Sequence, residues 1–173
     1  MSKRVEDAIR LVPDFPKKGI MFRDVTTAIK NAEVFKEIID FFIEQFKDID
    51  FDYIVAMESR GFFLGAPIAY AMEKGLVIVR KPGKLPAETI SAEYELEYGT
   101  DKLEIHKDAI EPGKKVIIMD DLIATGGTLN ASVELVEKLG GKVQLAAFLI
   151  ELPALGARKI VPKHVEILSM LKF

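Results

Sequence analysis

Asp120 and Asp121, followed at once by Leu122-Ile123-Ala124-Thr125-Gly126-Gly127-Thr128, are the residues whose types and spacing first suggest chemistry. Two adjacent carboxylates repel each other and any anion held by the turn behind them. As bare structure the arrangement is unfavourable, so it points to a polar or cationic ligand. Ionised carboxylates accept hydrogen bonds and donate none. The pair suits the two vicinal hydroxyls of a ribose, or a hydrated metal ion. The plain alternative is a pair of acids at a helix N-terminus. The glycines let the backbone approach a ligand closely and adopt positive φ. A helix starting here exposes unpaired N–H groups with partial positive charge, and Thr125 and Thr128 add hydroxyls. Together these make a phosphate cradle. It is not a Walker A loop, because no Gly-Lys-Ser/Thr follows, and it is not Gly-x-Gly-x-x-Gly. The plain alternative here is an ordinary strand-to-helix turn with threonine as N-cap.

A second anion site is expected from Arg60, within Glu58-Ser59-Arg60-Gly61, and from Arg80, Lys81 and Lys84. A lone cation is usually a solvated surface charge. Several at one rim, beside a phosphate cradle, fit a pyrophosphate, with arginine binding oxygens bidentately and lysine acting as a point charge. The expected ligand is a sugar phosphate held by hydroxyls at one end and phosphates at the other.

The elements that must position these residues are legible as an α/β alternation. Phe51–Met57, Leu76–Val79, Val116–Met119, Val143–Ile150 and Glu166–Leu171 read as short strands, the first three buried. Phe35, Ile38, Ile39, Phe42 and Phe46 recur on one face of a helix over 33–47. Further helices are expected over 62–73 and from the glycine turn to about 139, where Gly140-Gly141 stops the chain. The first thirty residues, punctuated by Pro16 and Gly19, read as turns and short extended pieces. Over 88–106 the pattern changes. Ile90, Ala92, Tyr94, Leu96 and Tyr98 alternate with polar residues, and Gly99-Thr100-Asp101 signals a turn. A half-exposed hairpin is expected, an excursion from the sheet and not a core element. The result is a mostly parallel, twisted sheet flanked by helices. In such sheets ligands bind beyond the carboxyl ends of the strands. Glu58–Gly61, Arg80–Lys84 and Asp120–Thr128 all follow such ends.

Composition narrows the function classes. The 173 residues fit one domain, and 49% hydrophobic with 29% charged residues excludes intrinsic disorder. The net charge of −3 gives no global basic footprint for nucleic acid. With no cysteine and only His106 and His164, a thiolate zinc site is excluded and a histidine triad disfavoured. No apolar run approaches the roughly 18 residues of a membrane span. The opening MSKRVEDAIR lacks the apolar core of a signal peptide. A cytoplasmic protein is expected.

Val116–Thr128 resembles the phosphoribosyl-pyrophosphate (PRPP) motif of type I phosphoribosyltransferases. Over nearly the full length the chain is similar to the adenine phosphoribosyltransferase family. The carrying segments are DFPKKGIMFRD (14–24), ESRGFFLGAPIA (58–69), RKPGKLP (80–86), YELEYGTDKLEIH (94–106), the PRPP motif and IELPALGAR (150–158). The resemblance implies the type I fold, with a small hood from about 1–30 and part of 150–173, and a flexible hairpin lid over about 84–105. It implies that Asp120 and Asp121 hold the ribose hydroxyls. Ala124, Thr125, Gly126, Gly127 and Thr128 cradle the 5′-phosphate. Arg60 beside Ser59 serves the pyrophosphate loop. Arg80, Lys81 and Lys84 contact pyrophosphate or support that loop, with Lys84 reaching from the partner's side. Glu97 is the acid that protonates the base at N7, and Tyr98 its neighbour over the ribose. Phe22 stacks on adenine, Met21 and Arg23 read its edge through backbone groups, and Leu152 covers its other face. Mg²⁺ is the implied cofactor, held mainly by substrate and water with no direct protein ligand. A homodimer is implied, with adenine and PRPP as substrates and neither nucleic acid nor membrane as partner.

The tail departs from the family's Leu-x-Gly-Arg, reading Leu155-Gly156-Ala157-Arg158, so Arg158 receives no role. Met119 and Ile123, where other aliphatics are usual, are packing changes. Two alternatives stay open: the same fold acting on another 6-substituted purine, and a non-catalytic PRPP- or purine-sensing regulator. A plain flavodoxin-like nucleotide module leaves the acid pair and the basic rim unexplained.

Overall fold

The structure, a computed structural model, describes residues 3–95 and 100–173. The chain forms two compact units, residues 1–47 and 48–173.

In the first unit, α1 (Lys3–Ala8) leads into β1 (Arg10–Pro13), β2 (Met21–Asp24), α2 (Thr26–Lys30) and α3 (Ala32–Phe46). β1 and β2 pair antiparallel, with Val12 opposite Phe22. The expected turns and extended pieces are there, but two short helices flank them. Six and five residues are too few to show a helical period, and such segments depend on tertiary packing. The α3 face is the predicted one, with Val34 buried in place of the half-buried Phe35. Asn31 caps it, its side chain accepting from Glu33 N and Val34 N.

The second unit runs β3 (Tyr53–Met57), α4 (Arg60–Ala71), β4 (Gly75–Val79), β5 (Thr89–Glu95), β6 (Thr100–His106), β7 (Lys115–Ile123), α5 (Gly127–Lys138) and β8 (Lys142–Glu151). A 3₁₀ turn (Pro153–Leu155), α6 (Ala157–Ile160) and β9 (Ile167–Lys172) follow. Five strands make one parallel sheet in the order β4-β3-β7-β8-β9. Such a sheet is covered on both faces, which is why its strands read as continuous apolar runs. Ile54–Met57 and Val116–Met119 are fully buried.

Two expectations change. The hairpin β5–β6 does leave the five-stranded sheet, as a separate two-stranded one, but it is a core element. Ala92, Leu103 and Ile105 are buried in the core with Leu129, Val133 and Val136 of α5. Its polar alternation is real, but the opposite face packs on α5. The hairpin is also joined to the sheet edge by two backbone bonds, Arg80 N to Glu104 O and Glu104 N to Arg80 O. Second, β7 does not end before the acid pair. It continues through Asp120, opposite Phe148, to Ile123, opposite Glu151.

Candidate active site

The central strand β7 sets the site. From Val116 to Met119 its side chains are buried on both faces; from Asp120 burial alternates, with Asp120 half-buried and Asp121 buried. The chain turns through Ala124, Thr125 and Gly126 into α5. Gly126 has φ +90°, and a Cβ there would lie 3.2 Å from the Ala157 Cα, so a side chain is opposed by conformation and by space. Gly126 itself occupies the N-cap position and no side chain caps the helix. The threonine N-cap reading is thereby set aside.

Gly61 brings α4 against β7. A Cβ on it would meet the Met119 carbonyl oxygen at 2.7 Å and Asp120 Oδ1 at 3.0 Å. Arg60 consequently reaches the acid pair, and its Nε donates to Asp121 Oδ2 at 2.5 Å. Asp120 Oδ1 accepts from the Asp121 N–H at 2.8 Å. Burial, and then the neighbouring Asp121 charge, push the Asp120 carboxyl well above the usual carboxylate range. Asp121 faces the Arg60 guanidinium.

Glu58, at the end of β3, fastens the next strand end. Its carboxylate accepts from Lys81 N–H at 2.8 Å and from Arg80 Nη2 at 3.2 Å. Burial works against the Glu58 charge, but these donors outweigh it and hold the carboxyl below its ordinary value. Arg80 also donates to the Lys84 carbonyl at 3.0 Å, closing the turn Lys81–Lys84. The Lys81 ammonium is held by Tyr94 and Asp101 of the hairpin.

A cleft of about 280 Å³ lies between these elements. It gathers Arg60, Lys81, Asp120, Asp121, Ala124, Thr125, Gly126 and Thr128 of the expected residues. Among the described residues, Ser59, Arg80, Lys84 and Gly127 stand beside it in sequence without lining it. Glu58 and Tyr94 line it as well, and the sequence reading gave neither a role. Glu58 belonged to the flagged strand end; Tyr94 fell on the apolar side of an alternation and read as packing. An acid pair, an uncapped helix start and two cations in one cleft can receive a hydroxylated anion with more than one phosphate.

Leu152 lies just past β8, half-buried, with its N–H donating to the Ile123 carbonyl at 3.0 Å. Its segment is anchored by a residue without an expected role. Arg158 Nε and Nη2 bind Glu151 Oε1 and Oε2 at 2.7 and 2.9 Å, and Ser169 donates to Oε2 at 2.6 Å. The Arg158 guanidinium first, and Ser169 with it, bring the buried Glu151 carboxyl down to about 2 against the pull of burial. In the first unit, Met21, Phe22 and Arg23 lie on β2, and Phe15 packs edge-on against Phe22 with ring centroids 5.0 Å apart. Glu97 and Tyr98 lie outside the described residues.

A family profile described as a phosphoribosyl transferase domain matches residues 25–166. An adenine phosphoribosyltransferase of Agathobacter rectalis is 57% identical over 162 residues, covering 94% of this chain and 93% of that one. The crystal structure of adenine phosphoribosyltransferase from Thermoanaerobacter pseudethanolicus superposes with a TM-score of 0.96 at 53% identity, covering 99% of both chains. The Saccharomyces cerevisiae adenine phosphoribosyltransferase, crystallised with an imino-altritol bisphosphate and adenine, gives 0.92 at 42% identity, over 98% of this chain and 97% of that one. With this cleft and these similarities, the chain belongs to the adenine phosphoribosyltransferases of the phosphoribosyl transferase domain family.

Proposed function

We propose that this chain transfers the 5-phosphoribosyl group of PRPP to adenine, giving AMP and diphosphate. One observation carries the reading: the acid pair, the glycine turn and the cations Arg60 and Lys81 share one cleft in a chain of this family. The turn Ala124–Thr128 holds the 5′-phosphate through backbone N–H groups and threonine hydroxyls. Asp120 and Asp121 take the ribose hydroxyls. As the C1–O bond to diphosphate breaks, positive charge grows on the ribose and negative charge on the leaving group. Arg60 and Lys81 oppose the second, and the acid pair offsets the first. Ser59, Arg80 and Lys84 support the diphosphate loop. Met21, Phe22, Arg23 and Leu152 place the base, Glu97 protonates its N7 and Tyr98 covers the ribose. Orientation and electrostatics account for most of the rate.

The donor chemistry of the cleft fits Mg²⁺. Glu58, Asp120 and Asp121 are hard oxygen groups, and no cluster of three metal-binding side chains occurs among the described residues. A small hard cation that keeps its waters and binds chiefly to substrate phosphates suits that set, with Asp120 and Asp121 meeting its waters. When bound, Mg²⁺ neutralises diphosphate charge.

The chain acts as a cytoplasmic homodimer in this reading. The outer face of α4 supports the dimer: Phe63, Ala66 and Tyr70 are exposed there, Tyr70 by 88%, with no charged side chain between Gly61 and Ala71. Contiguous exposed apolar surface marks interaction sites.

The test is an assay with PRPP and Mg²⁺ against adenine, hypoxanthine, guanine and xanthine in parallel. AMP formation from adenine alone is expected. Turnover of another base would move the specificity and keep the mechanism. PRPP binding without turnover of any base would overturn the enzyme reading.

A further inference from the structure

Tyr94 and Asp101 face each other across the β5–β6 hairpin. Between them they hold the side chain of Lys81. The Tyr94 hydroxyl accepts from Lys81 Nζ at 2.7 Å, Asp101 Oδ2 accepts from the same ammonium, and the hydroxyl donates to that Oδ2 at 3.0 Å. The three groups close a triangle. An ammonium has three donors, and the triangle uses two. Lys81 and Tyr94 line the cleft together with Arg60 and Asp120. Burial opposes the Lys81 charge, but Asp101 and Tyr94 outweigh it, so the ammonium stays protonated above the ordinary lysine value.

We propose that Tyr94 and Asp101 are positioning residues for Lys81, fixing its ammonium so that the remaining N–H meets the diphosphate of the phosphoribosyl donor. This rests on the reading of Lys81 as a diphosphate ligand. A lysine on a free four-carbon stem loses rotamer freedom when it captures an anion. Here that ordering occurs on folding, because the hairpin holds the stem's end. Preorganisation of this kind improves binding without adding a contact to the ligand. The neutralising carboxylate of Asp101 weakens the long-range pull on an anion. The hydroxyl and carboxylate therefore serve direction more than charge.

The experiment runs the reaction from AMP and diphosphate, where the two substrates separate the two ends of the cleft. Tyr94→Phe is the cleaner probe, since it keeps the ring and changes no charge; Asp101→Asn is the second. Each is expected to raise the KM for diphosphate about fivefold, the size of one lost charge-assisted hydrogen bond in a partly exposed setting. The KM for AMP should stay within about twofold, and in a Lys81→Met background neither should add a further cost. Costs that multiply with Lys81→Met, or an equal rise in both KM values, would assign the triangle to general hairpin stability and overturn the proposal. Normal diphosphate KM in both single variants would overturn it too. Should Lys81→Met alone bind diphosphate like the parent, the underlying reading of Lys81 falls, and this inference with it.

Discussion

The α carbon of Gly61 approaches β7 so closely that a methyl group on it would lie 2.7 Å from the carbonyl oxygen of Met119. The obstacle is backbone, so it cannot swing aside. That approach is what lets Arg60, the preceding residue, reach Asp121. Gly61→Ala should push the start of α4 outward and part the pair. The expected loss is about 1–3 kcal/mol of stability, read from denaturant midpoints. The kcat/KM for PRPP should fall about 100-fold, comparable to removing a group that stabilises transition-state charge. A variant with parental activity would show that Arg60 does not need Asp121 to act.

Glu97→Gln should lose turnover by about 100-fold or more while PRPP binding, measured by calorimetry, changes little. The substitution keeps size and polarity and removes only the ionisable proton. Unchanged turnover would reject the acid role.

Glu151 links the site to acid stability. Its folded value of about 2 lies below the ordinary 4.5. A depressed carboxyl stabilises the fold above its unfolded value, and that stability is lost as pH falls from about 4.5 towards 2. The full difference is on the order of 3 kcal/mol. Asp24 in the first unit, held at about 2 by Thr26 and Arg10, adds in the same direction. Urea midpoints measured between pH 6 and about 2.5 should fall with acid in the parent and more gently in Glu151→Gln. The variant should also be less stable at neutral pH, because it leaves the Arg158 guanidinium without its bidentate partner. A parallel pH dependence in both proteins would show that Glu151 does not carry the effect.

Tyr70 tests the assembly. Tyr70→Lys places a charge on the apolar face of α4 and costs the isolated chain little, since the side chain is 88% exposed. Sedimentation should report a dimer for the parent and a monomer for the variant. A variant that stays dimeric would remove α4 from the interface.

Much of this was readable from residue types, and the failures have physical causes. Val116–Met119 and Ile54–Met57 are apolar because parallel strands are buried on both faces, so they stood out. The continuation of β7 through Asp120 and Asp121 did not, because backbone pairing with Phe148 and Ile150 does not depend on side-chain polarity. The helices α1 and α2 were too short to show a period. The turn at 124–128, Arg60 and Lys81 were expected together from type and spacing, and all of these but Gly127 line the cleft. Glu58 and Asp101 were missed as partners because their roles come from contacts across 23 and 20 residues of chain, to Lys81 in both cases. Arg158 lacked a role because its tail departs from the family pattern; its partner Glu151 lies beyond a turn through Gly156, which has φ +75°.

The strand order also dictates when the cleft can exist during folding. β3 and β4 are neighbours in sequence and can pair early, but β7 must then add to the far side of β3, with Tyr53 meeting Val116. Pairings this distant in sequence form late. Until β7 docks, the other edge of β3 is an open apolar edge, and the acid pair has no arginine beside it. A chain in which β7 has not docked has that edge exposed and no site to bind the nucleotide precursor. The substrate can stabilise only the finished sheet, so its presence slows unfolding and does nothing to rescue a chain that has stalled short of β7.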